Sequence, residues 1–258
     1  MPRPSIQLLY SVDDPSARGE LSDDDLVRLY RYPGDGRRRL RTNFVSSLDG
    51  SVQGPDGRSG GLGTASDSYV FALHRALADA VVVGASTVRE ESYRSIDLQP
   101  WQSELRERLG LAPYPALVII SGRAQLDPVI AQPEQGEGGP VMIITTSGKP
   151  EDDLAPLRDA GIEVVESGST VELAAALQVL GARGWSRLLC EGGPGLHRDL
   201  LAAGLVDELS LTLAPVAVGG QGMRSTSGDA LDPPRSFDPT FVLGGEDGTL
   251  FTSYRSRD

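Results

Sequence analysis

Short apolar runs alternate with amphipathic segments over most of this chain. Residues 80–84 are continuously apolar or glycine, as is typical of a strand buried on both faces of a sheet. Similar runs cover residues 116–120, 141–144 and 187–190, and segments with helical periodicity lie between most of them. Strands that alternate with helices indicate a largely parallel sheet with helices on both faces.

The same pattern predicts the remaining elements. Helices are predicted over residues 66–79, 101–109, 152–160, 171–182 and 196–203. Further strands are predicted over residues 162–165, 208–214, 240–243 and 250–254. The last two flank a glycine-rich turn and form a predicted terminal hairpin, which adds antiparallel strands and makes the expected sheet mixed.

Residues 1–39 are predicted to be an N-terminal extension with one short helix. Ser22 and the three aspartates after it form a helix N-cap with an acidic first turn, and apolar residues follow. A strand opens at Leu40 and ends in Ser46-Ser47-Leu48-Asp49-Gly50, where Asp49 before a glycine is typical of a turn. Neither a repeat nor a long linker divides residues 40–258, so we expect a single globular unit there.

Composition narrows the classes of function. The 258 residues contain one cysteine and two histidines, which excludes a disulfide framework and a histidine-rich metal cluster. A net charge of −12 has the wrong sign for a nucleic-acid partner. No apolar run approaches the roughly 20 residues of a membrane helix, and no secretory signal is visible. We therefore expect a soluble cytoplasmic protein with neither a membrane nor a nucleic-acid partner.

Three predicted strand ends carry polar or glycine-rich sequence. In open α/β sheets, ligands bind beyond the carboxyl ends of the strands. The three segments are residues 46–50, residues 84–91 and residues 191–195. They are the places where we expect a binding site.

The third segment, Glu191-Gly192-Gly193-Pro194-Gly195, has the clearest physical meaning. Glycines between a buried strand and a helix let the backbone approach a ligand, and the helix N-terminus favours a phosphate. The spacing is not GxGxxG, so the usual dinucleotide fingerprint is absent. A tight turn without any ligand stays an alternative. Glu191, at the mouth of the loop, is expected to need a partner because a poorly solvated carboxylate is costly.

Other residues have a simple structural interpretation. Thr87 either begins a short helix or binds a phosphate or ribose. Arg75, without an acidic residue four positions away, has the pattern of a solvated surface charge. His74 and His197 lack a partner pattern and are interpreted as structural, and Cys190 as a small core residue.

Taken in order, SSLDG (46–50), ADAVVVGASTV (78–88), CEGGPGL (190–196) and DELSLTLAP (207–215) resemble the reductase domain of riboflavin biosynthesis. The resemblance covers residues 40–254 and is strongest to the stand-alone actinobacterial members. It implies a dihydrofolate-reductase-like three-layer α/β fold with a central, mostly parallel mixed sheet and a C-terminal antiparallel hairpin.

The resemblance also implies an activity: NADPH-dependent reduction of a ribosylaminopyrimidine 5′-phosphate to its ribitylamino form, with hydride transfer to ribose C1′. A homodimer and no metal are implied as well. Glu191 and Asn43 are the implied catalytic residues, and Ser59, Arg75 and Glu191 the implied substrate contacts. The implied contacts of the NADPH cofactor are Val45, Thr87, Glu91, Ser121, Arg123, Gly192, Gly193, Pro194, Gly195 and Leu196.

Departures from the family pattern leave alternatives open. Bacterial members usually carry a lysine at the position of Asn43, and Leu98 replaces an arginine that helps to hold the substrate phosphate. Arg94 is the candidate replacement. A fused zinc deaminase would need HxE and PCxxC segments, which one cysteine cannot provide. A pterin or dihydrofolate reductase, and a non-catalytic NADPH-binding paralogue, are the alternative functions.

Overall fold

A mixed β-sheet runs through the protein, of which the computed structural model describes residues 3–257. Within this range the chain forms eleven strands, which in order are β1 (Ile6–Ser11), β2 (Gly19–Glu20), β3 (Arg39–Ser46), β4 (Ala80–Gly84), β5 (Ala116–Ser121), β6 (Val141–Thr146), β7 (Glu163–Ser167), β8 (Arg187–Cys190), β9 (Glu208–Leu213), β10 (Phe237–Gly245) and β11 (Leu250–Ser256). Their order across the sheet is β2-β1-β10-β11-β9-β3-β8-β4-β5-β6-β7.

The strand directions divide this sheet into two parts. Every neighbouring pair from β9 to β7 is parallel, whereas every pair from β2 to β9 is antiparallel. Strands β10 and β11 form the predicted terminal hairpin, with Leu243 opposite Phe251. The predicted mostly parallel, mixed sheet with a C-terminal antiparallel hairpin is confirmed.

Helices cover both faces of the sheet. Within the described residues they are α1 (Asp23–Tyr30), α2 (Ala65–Leu77), α3 (Ala85–Glu90), α4 (Pro100–Arg108), α5 (Glu151–Asp159), α6 (Leu173–Ala182) and α7 (Pro194–Ala202). Helices α6 and α7 pack on one face, and α1 to α5 contribute to the cores on the other. The predicted three-layer α/β arrangement is confirmed.

The continuously apolar strand β4 shows why both faces are covered. Val82 packs into the core beneath α6 and α7, whereas Val81 and Val83 point to the opposite core. Each of these valines is at most 1% exposed. Full burial of such a side chain contributes about 1.5–3 kcal/mol, so an uninterrupted apolar strand is stable only between two layers of helices.

The N-terminal segment joins the same sheet. Its predicted helix is α1, which begins after Ser22 with a capping box to Asp25 and buries Leu26 and Tyr30. The sequence pattern did not predict β1 and β2, because β2 has only two residues and β1 does not alternate cleanly. Strand β1 pairs with β10. Residues 1 and 2 of the predicted N-terminal extension and residue 258 of the predicted globular unit lie outside the described residues.

Three strand ends meet at one edge of the sheet. Strands β3, β8 and β4 are adjacent and parallel, so their carboxyl ends share one edge. Cys190 is level with Thr42 and Val82, and β3 and β4 continue past it to Ser46 and Gly84. These are the three ends that the sequence singled out. Their convergence creates the location in which open α/β sheets bind ligands.

Candidate active site

A cavity of about 650 Å³ opens beyond these strand ends. One wall is a face of helix α2, where Asp67, Phe71 and Arg75 follow each other at intervals of four residues. Strand β3 also lines the cavity, with Asn43 and Val45 from one face of the strand and with Phe44 between them. The predicted catalytic residue Asn43 thus faces the same space as the predicted substrate contact Arg75.

Arg75 and Glu191 form a bidentate ion pair at the base of this cavity. Arg75 Nε donates to Glu191 Oε1 and Arg75 Nη2 to Glu191 Oε2, both at 2.8 Å. The Glu191 side chain is 1% exposed and the Arg75 side chain 23%. Burial alone would lower the pKa of Arg75, but attraction to Glu191 outweighs burial and holds that pKa above its ordinary value.

The expectation that Glu191 needs a partner is confirmed, and the interpretation of Arg75 as a solvated surface charge is wrong. Arg75 lies on the α2 face that turns toward the end of β8, so its partner is 116 residues away in sequence. Spacing within one helix could not reveal that contact. Removal of one partner from a buried ion pair costs much more folding free energy than removal of one partner from an exposed pair.

Tyr93 completes the cluster, and the sequence did not predict it. Its hydroxyl donates to Glu191 Oε2 at 2.7 Å, and its ring lies 5.5 Å from the Arg75 guanidinium. On the other side, the Phe71 ring centre is 4.4 Å from that guanidinium. Burial and the nearby Glu191 carboxylate raise the pKa of Tyr93 well above its ordinary value, so the phenol remains a donor. Both Glu191 oxygens are therefore occupied by protein donors.

A second cavity of about 1130 Å³ lies on the other side of the loop after β8. Ser121 and Arg123 line it together with Gly195 and Leu196, and Gly193 lines both cavities. The predicted cofactor contacts thus divide into two sets that meet at Gly193. The first cavity is lined by Val45, Thr87, Glu91 and Pro194.

Gly192 lines neither cavity. Its φ of +103° is in the region that favours glycine, and an added Cβ would lie 3.3 Å from the Phe44 ring. Its carbonyl accepts a hydrogen bond of 2.9 Å from the Gly84 backbone N–H. This glycine shapes the loop and joins β8 to the end of β4.

The start of helix α7 has the properties of a phosphate site. Gly193 is the N-cap residue, and no side chain caps the helix. An added Cβ at Gly195 would meet nothing within 4 Å, whereas a Cβ at Gly193 would lie 2.5 Å from Thr87 Oγ1. Open space in front of uncapped helical N–H groups suits the pyrophosphate of a dinucleotide, so these residues fit such a cofactor.

Glu91 holds the glycine-rich loop that carries Ser59. The Ser59 backbone N–H donates to Glu91 Oε1 at 2.8 Å, and both residues line the first cavity. They also line a side cavity of about 260 Å³ together with Arg75 and Arg94. Arg94 Nη1 makes a long contact, 3.4 Å, with the Val129 carbonyl oxygen. Arg94 is therefore near Arg75 and weakly held.

Asp67 is the other cavity residue that the sequence did not predict. Burial raises its pKa to about 6; a hydrogen bond from Thr212 lowers the pKa, and the charge of Asp247 raises it. Because an acid in the first turn of a helix usually complements the helix dipole, the sequence offered no reason to select this one. The one sequence feature that could have indicated Asp67 as a site residue was its spacing of eight residues from Arg75 on the same helix.

Both histidines are held in the interior. His74 Nδ1 is 3.3 Å from Arg41 Nη1, and the His197 ring stacks on Phe44 with ring centres 4.6 Å apart. Burial lowers the pKa of both histidines. The free Cys190 is fully buried, and burial raises its pKa to about 12. These environments support a structural interpretation of all three residues.

Asp49 stabilises the turn after β3. Its carboxylate accepts hydrogen bonds from the Ser47 hydroxyl at 2.5 Å and from the Gly219 and Val218 backbone N–H groups at 2.6 and 3.2 Å. These bonds lower the pKa of Asp49 to about 2. The interpretation of Asp49 as turn chemistry is therefore supported.

Two further properties concern the described residues as a whole. Between residues 3 and 257, no three histidine, cysteine or acidic side chains lie close enough to hold a metal ion together. No helix in the same range is long and apolar enough to cross a membrane.

Several known proteins are similar to this chain in sequence. A reductase of Archaeoglobus fulgidus, named 2,5-diamino-6-ribosylamino-4(3H)-pyrimidinone 5′-phosphate reductase, is 27% identical over 179 residues, covering 69% of this chain and 81% of the relative. The riboflavin biosynthesis protein RibD of Chlamydia trachomatis is 31% identical over 180 residues, which are 69% of this chain but only 46% of that protein.

A solved structure shows the same fold. The pyrimidine reductase-like protein of Corynebacterium diphtheriae superposes with a TM-score of 0.70 at 27% identity, covering 86% of this chain and 93% of that one. Residues 38–238 match the family described as the RibD C-terminal domain. Since this match spans well over half of the sequence, the chain belongs to the RibD C-terminal domain family.

Proposed function

We propose that this protein is an NADPH-dependent reductase that converts a ribosylaminopyrimidine 5′-phosphate to its ribitylamino form. The observation that carries the proposal is the pair of cavities that meet at Gly193, with the Arg75–Glu191 pair in the first. The curated relatives named as reductases of a ribosylaminopyrimidinone phosphate support the substrate class. In this proposal the dinucleotide spans the second cavity and reaches the phosphorylated substrate of the first cavity at Gly193.

In this proposal the loop after β8 holds the cofactor. The backbone of Gly193 and Gly195 lies against the pyrophosphate, and Thr87 and Val45 contact the part that enters the first cavity. Ser121 and Arg123 lie beside the second cavity, where Arg123 supplies a cation for a 2′-phosphate. When bound, NADPH supplies the hydride.

The residues of the first cavity act on the substrate. Arg75 Nε and Nη2 donate to Glu191, and in this proposal the remaining nitrogen, Nη1, binds the substrate phosphate. Glu191 and Tyr93 orient Arg75. Asn43, which lines the same cavity, holds a ribose hydroxyl or the pyrimidine edge. During reduction the bond between C1′ and the ring oxygen breaks, that oxygen takes up a proton, and C1′ accepts the hydride.

One observation favours a second candidate, a reductase of unphosphorylated pterins or dihydrofolate. Among the described residues, Arg75 is the only cation that lines the first cavity, and Glu191 neutralises it. Five other acids line the same space: Asp67, Glu90, Glu91, Asp97 and Glu134. Leu98 also stands there in place of the family's second arginine. A phosphate dianion has little electrostatic support in such a cavity.

The test is NADPH oxidation measured in parallel with three substrates: the ribosylaminopyrimidine phosphate, its dephosphorylated form and dihydrofolate. We expect turnover of the phosphate and a KM that is about 10-fold higher without the phosphate group, one charge-assisted contact being worth roughly 1.5 kcal/mol. Arg75→Met should remove this difference. Turnover of dihydrofolate alone would select the second candidate, and NADPH binding without any turnover would indicate a non-catalytic paralogue.

The family resemblance also leads us to propose a homodimer that acts in the cytoplasm. The dimer is checked by light scattering of the purified chain over a range of concentrations. A mass equal to that of one chain at every concentration would contradict it.

A further inference from the structure

Asp67 stands at a defined separation from Arg75 in the first cavity. The two residues are eight positions apart on α2, which corresponds to about 12 Å along the helix axis. Both line the cavity. A ligand that places its phosphate at Arg75 and extends along α2 therefore brings its far end to Asp67.

The neighbours of Asp67 fix its position beside strand β3. Its backbone N–H donates to Thr64 Oγ1 at 3.1 Å, and the Thr212 hydroxyl interacts with its carboxyl group. Thr212 is the register partner of Val45 on the parallel strand pair β3–β9. The carboxyl of Asp67 thus lies near Val45, which the proposed function places beside the part of the cofactor that enters the first cavity.

Two similar proteins are named for pyrimidine substrates that differ in the group at C2. The Archaeoglobus fulgidus relative acts on a 2,5-diamino-4(3H)-pyrimidinone, which presents two adjacent donors, N3–H and the 2-amino group. A Thermotoga maritima structure is named for a 5-amino-6-(5-phosphoribosylamino)uracil reductase, and a uracil presents N3–H beside a C2 carbonyl. A carboxylate has two acceptors and matches the first edge but not the second.

We propose that Asp67 recognises the C2–N3 edge of the pyrimidine and makes this protein select the 2-amino substrate over the uracil. The inference rests on the proposed function and assigns the specificity of that same site. If the carboxylate faced the uracil edge, one carboxylate oxygen would lie opposite the C2 carbonyl oxygen. Both are acceptors, so no hydrogen bond could form between them. A site built for donors rejects an analogue that lacks one of them, because the buried acceptor is then left unpaired.

The selectivity should depend on pH because a protonated Asp67 has one donor and one acceptor, which match the uracil edge. The pKa of Asp67 is raised to about 6 by burial. Of the groups that face it, Asp247 has a pKa of about 2, and burial keeps Tyr30 on α1 protonated. Thr212 does not titrate, and Arg41 on β3, which interacts with Tyr30, stays charged. Asp67 alone in this set changes charge between about pH 5 and 8.

The experiment measures kcat/KM of the full chain for both phosphorylated pyrimidines from about pH 5 to pH 8. We expect wild type to prefer the 2-amino substrate at least 10-fold at pH 8 and to lose that preference as the pH falls through about 6. Asp67→Asn offers one acceptor and one donor at every pH. It should therefore reverse the preference and abolish its pH dependence.

The matched control is Glu90→Gln, which neutralises another acid of the same cavity and should leave the preference and its pH profile unchanged. Asp67→Ser, which removes both carboxylate acceptors, should bring the preference close to one even if the Asn variant folds poorly. An unchanged ratio in both Asp67 variants, or a wild-type preference for uracil at pH 8, would overturn the inference while leaving the proposed function intact. Absence of turnover with both substrates would overturn the proposed function and this inference with it.

Discussion

Arg75 on α2 and Glu191 after β8 are joined by two hydrogen bonds of 2.8 Å each, and this pair determines what either residue can do. Three of the roughly four acceptor positions of Glu191 are occupied, two by Arg75 and one by Tyr93. We therefore infer that Glu191 acts on the substrate through Arg75, whose Nε and Nη2 it holds. Within the proposed mechanism, Glu191 and Tyr93 are positioning residues and Arg75 is a binding residue.

Glu191→Gln is expected to reduce kcat/KM for the phosphorylated pyrimidine about 10²-fold, which is about 2.7 kcal/mol. The glutamine amide would face a guanidinium N–H, so the bidentate pair is lost and Arg75 moves. NADPH binding, measured by fluorescence titration, should change little. Glu90→Gln serves as the control. In a double-mutant cycle with Arg75→Met the losses should be strongly non-additive, and simple additivity would show that the pair does not act as a unit.

The loop after β8 is best tested at Gly195. A methyl group there meets no protein atom within 4 Å, so Gly195→Ala should fold normally and yet weaken NADPH binding at least 10-fold by occupying the proposed pyrophosphate space. Gly193→Ala is less informative, because its Cβ would lie 2.5 Å from Thr87 Oγ1 and disturb the protein itself. Calorimetric titration measures the affinity. Unchanged NADPH affinity in Gly195→Ala would show that the pyrophosphate does not bind at this loop.

Arg123→Ala should discriminate between the two nicotinamide cofactors. Arg123 is exposed at the rim of the second cavity, where the proposal places the 2′-phosphate. We expect the KM for NADPH to rise about 10-fold, with little change for NADH, since one charge-assisted contact is lost. Arg158→Ala, on the distant helix α5, is the matched control. An equal effect on both cofactors would place the 2′-phosphate elsewhere.

Asp67 gives a pH dependence of stability with a defined sign. Its folded-state pKa of about 6 is above the ordinary value of 3.8, so the folded protein binds this proton more tightly than the unfolded chain does. The resulting stabilisation is present at low pH and is lost as the pH rises through about 6. Asp67→Asn should therefore melt a few degrees above wild type at about pH 8, with the difference closing toward about pH 4.

Asp247→Asn is the control of opposite sign. Hydrogen bonds from Ser66 and Thr249 lower the pKa of Asp247 to about 2 and outweigh the effect of burial. Its ionised form therefore stabilises the fold above the ordinary pKa, and this contribution is lost as the pH falls toward about 2. The variant should melt below wild type at neutral pH. Melting curves of both variants that shift in the same direction would contradict these assignments.

The sequence was most informative where local pattern and burial agree. The uninterrupted apolar run of β4 required two covering layers, and the glycines after Cys190 indicated a loop at a strand end. Because parallel strand ends share one edge, the convergence of three such loops could be expected. The need of Glu191 for a partner also followed from burial alone.

The contacts that complete the site are non-local and could not be predicted. Arg75, Tyr93 and Glu191 come from α2, from the segment after α3 and from the end of β8, and only the packed sheet brings them together. Asp67 has the appearance of an ordinary first-turn acid until β9 and the β10–β11 turn surround it. Strand β1 was missed because its pairing with β10 depends on residues 230 or more positions away.

The most direct test of the proposed reaction follows the hydride itself. The full chain is incubated with the ribosylaminopyrimidine 5′-phosphate and with NADPH deuterated at C4 on either face, and the product is analysed by mass spectrometry and NMR. We predict a ribitylamino product that carries one deuterium at C1′ from one of the two faces. Deuterium at any other carbon, or deuterated NADPH left unconsumed with this substrate and consumed with dihydrofolate, would contradict the proposal.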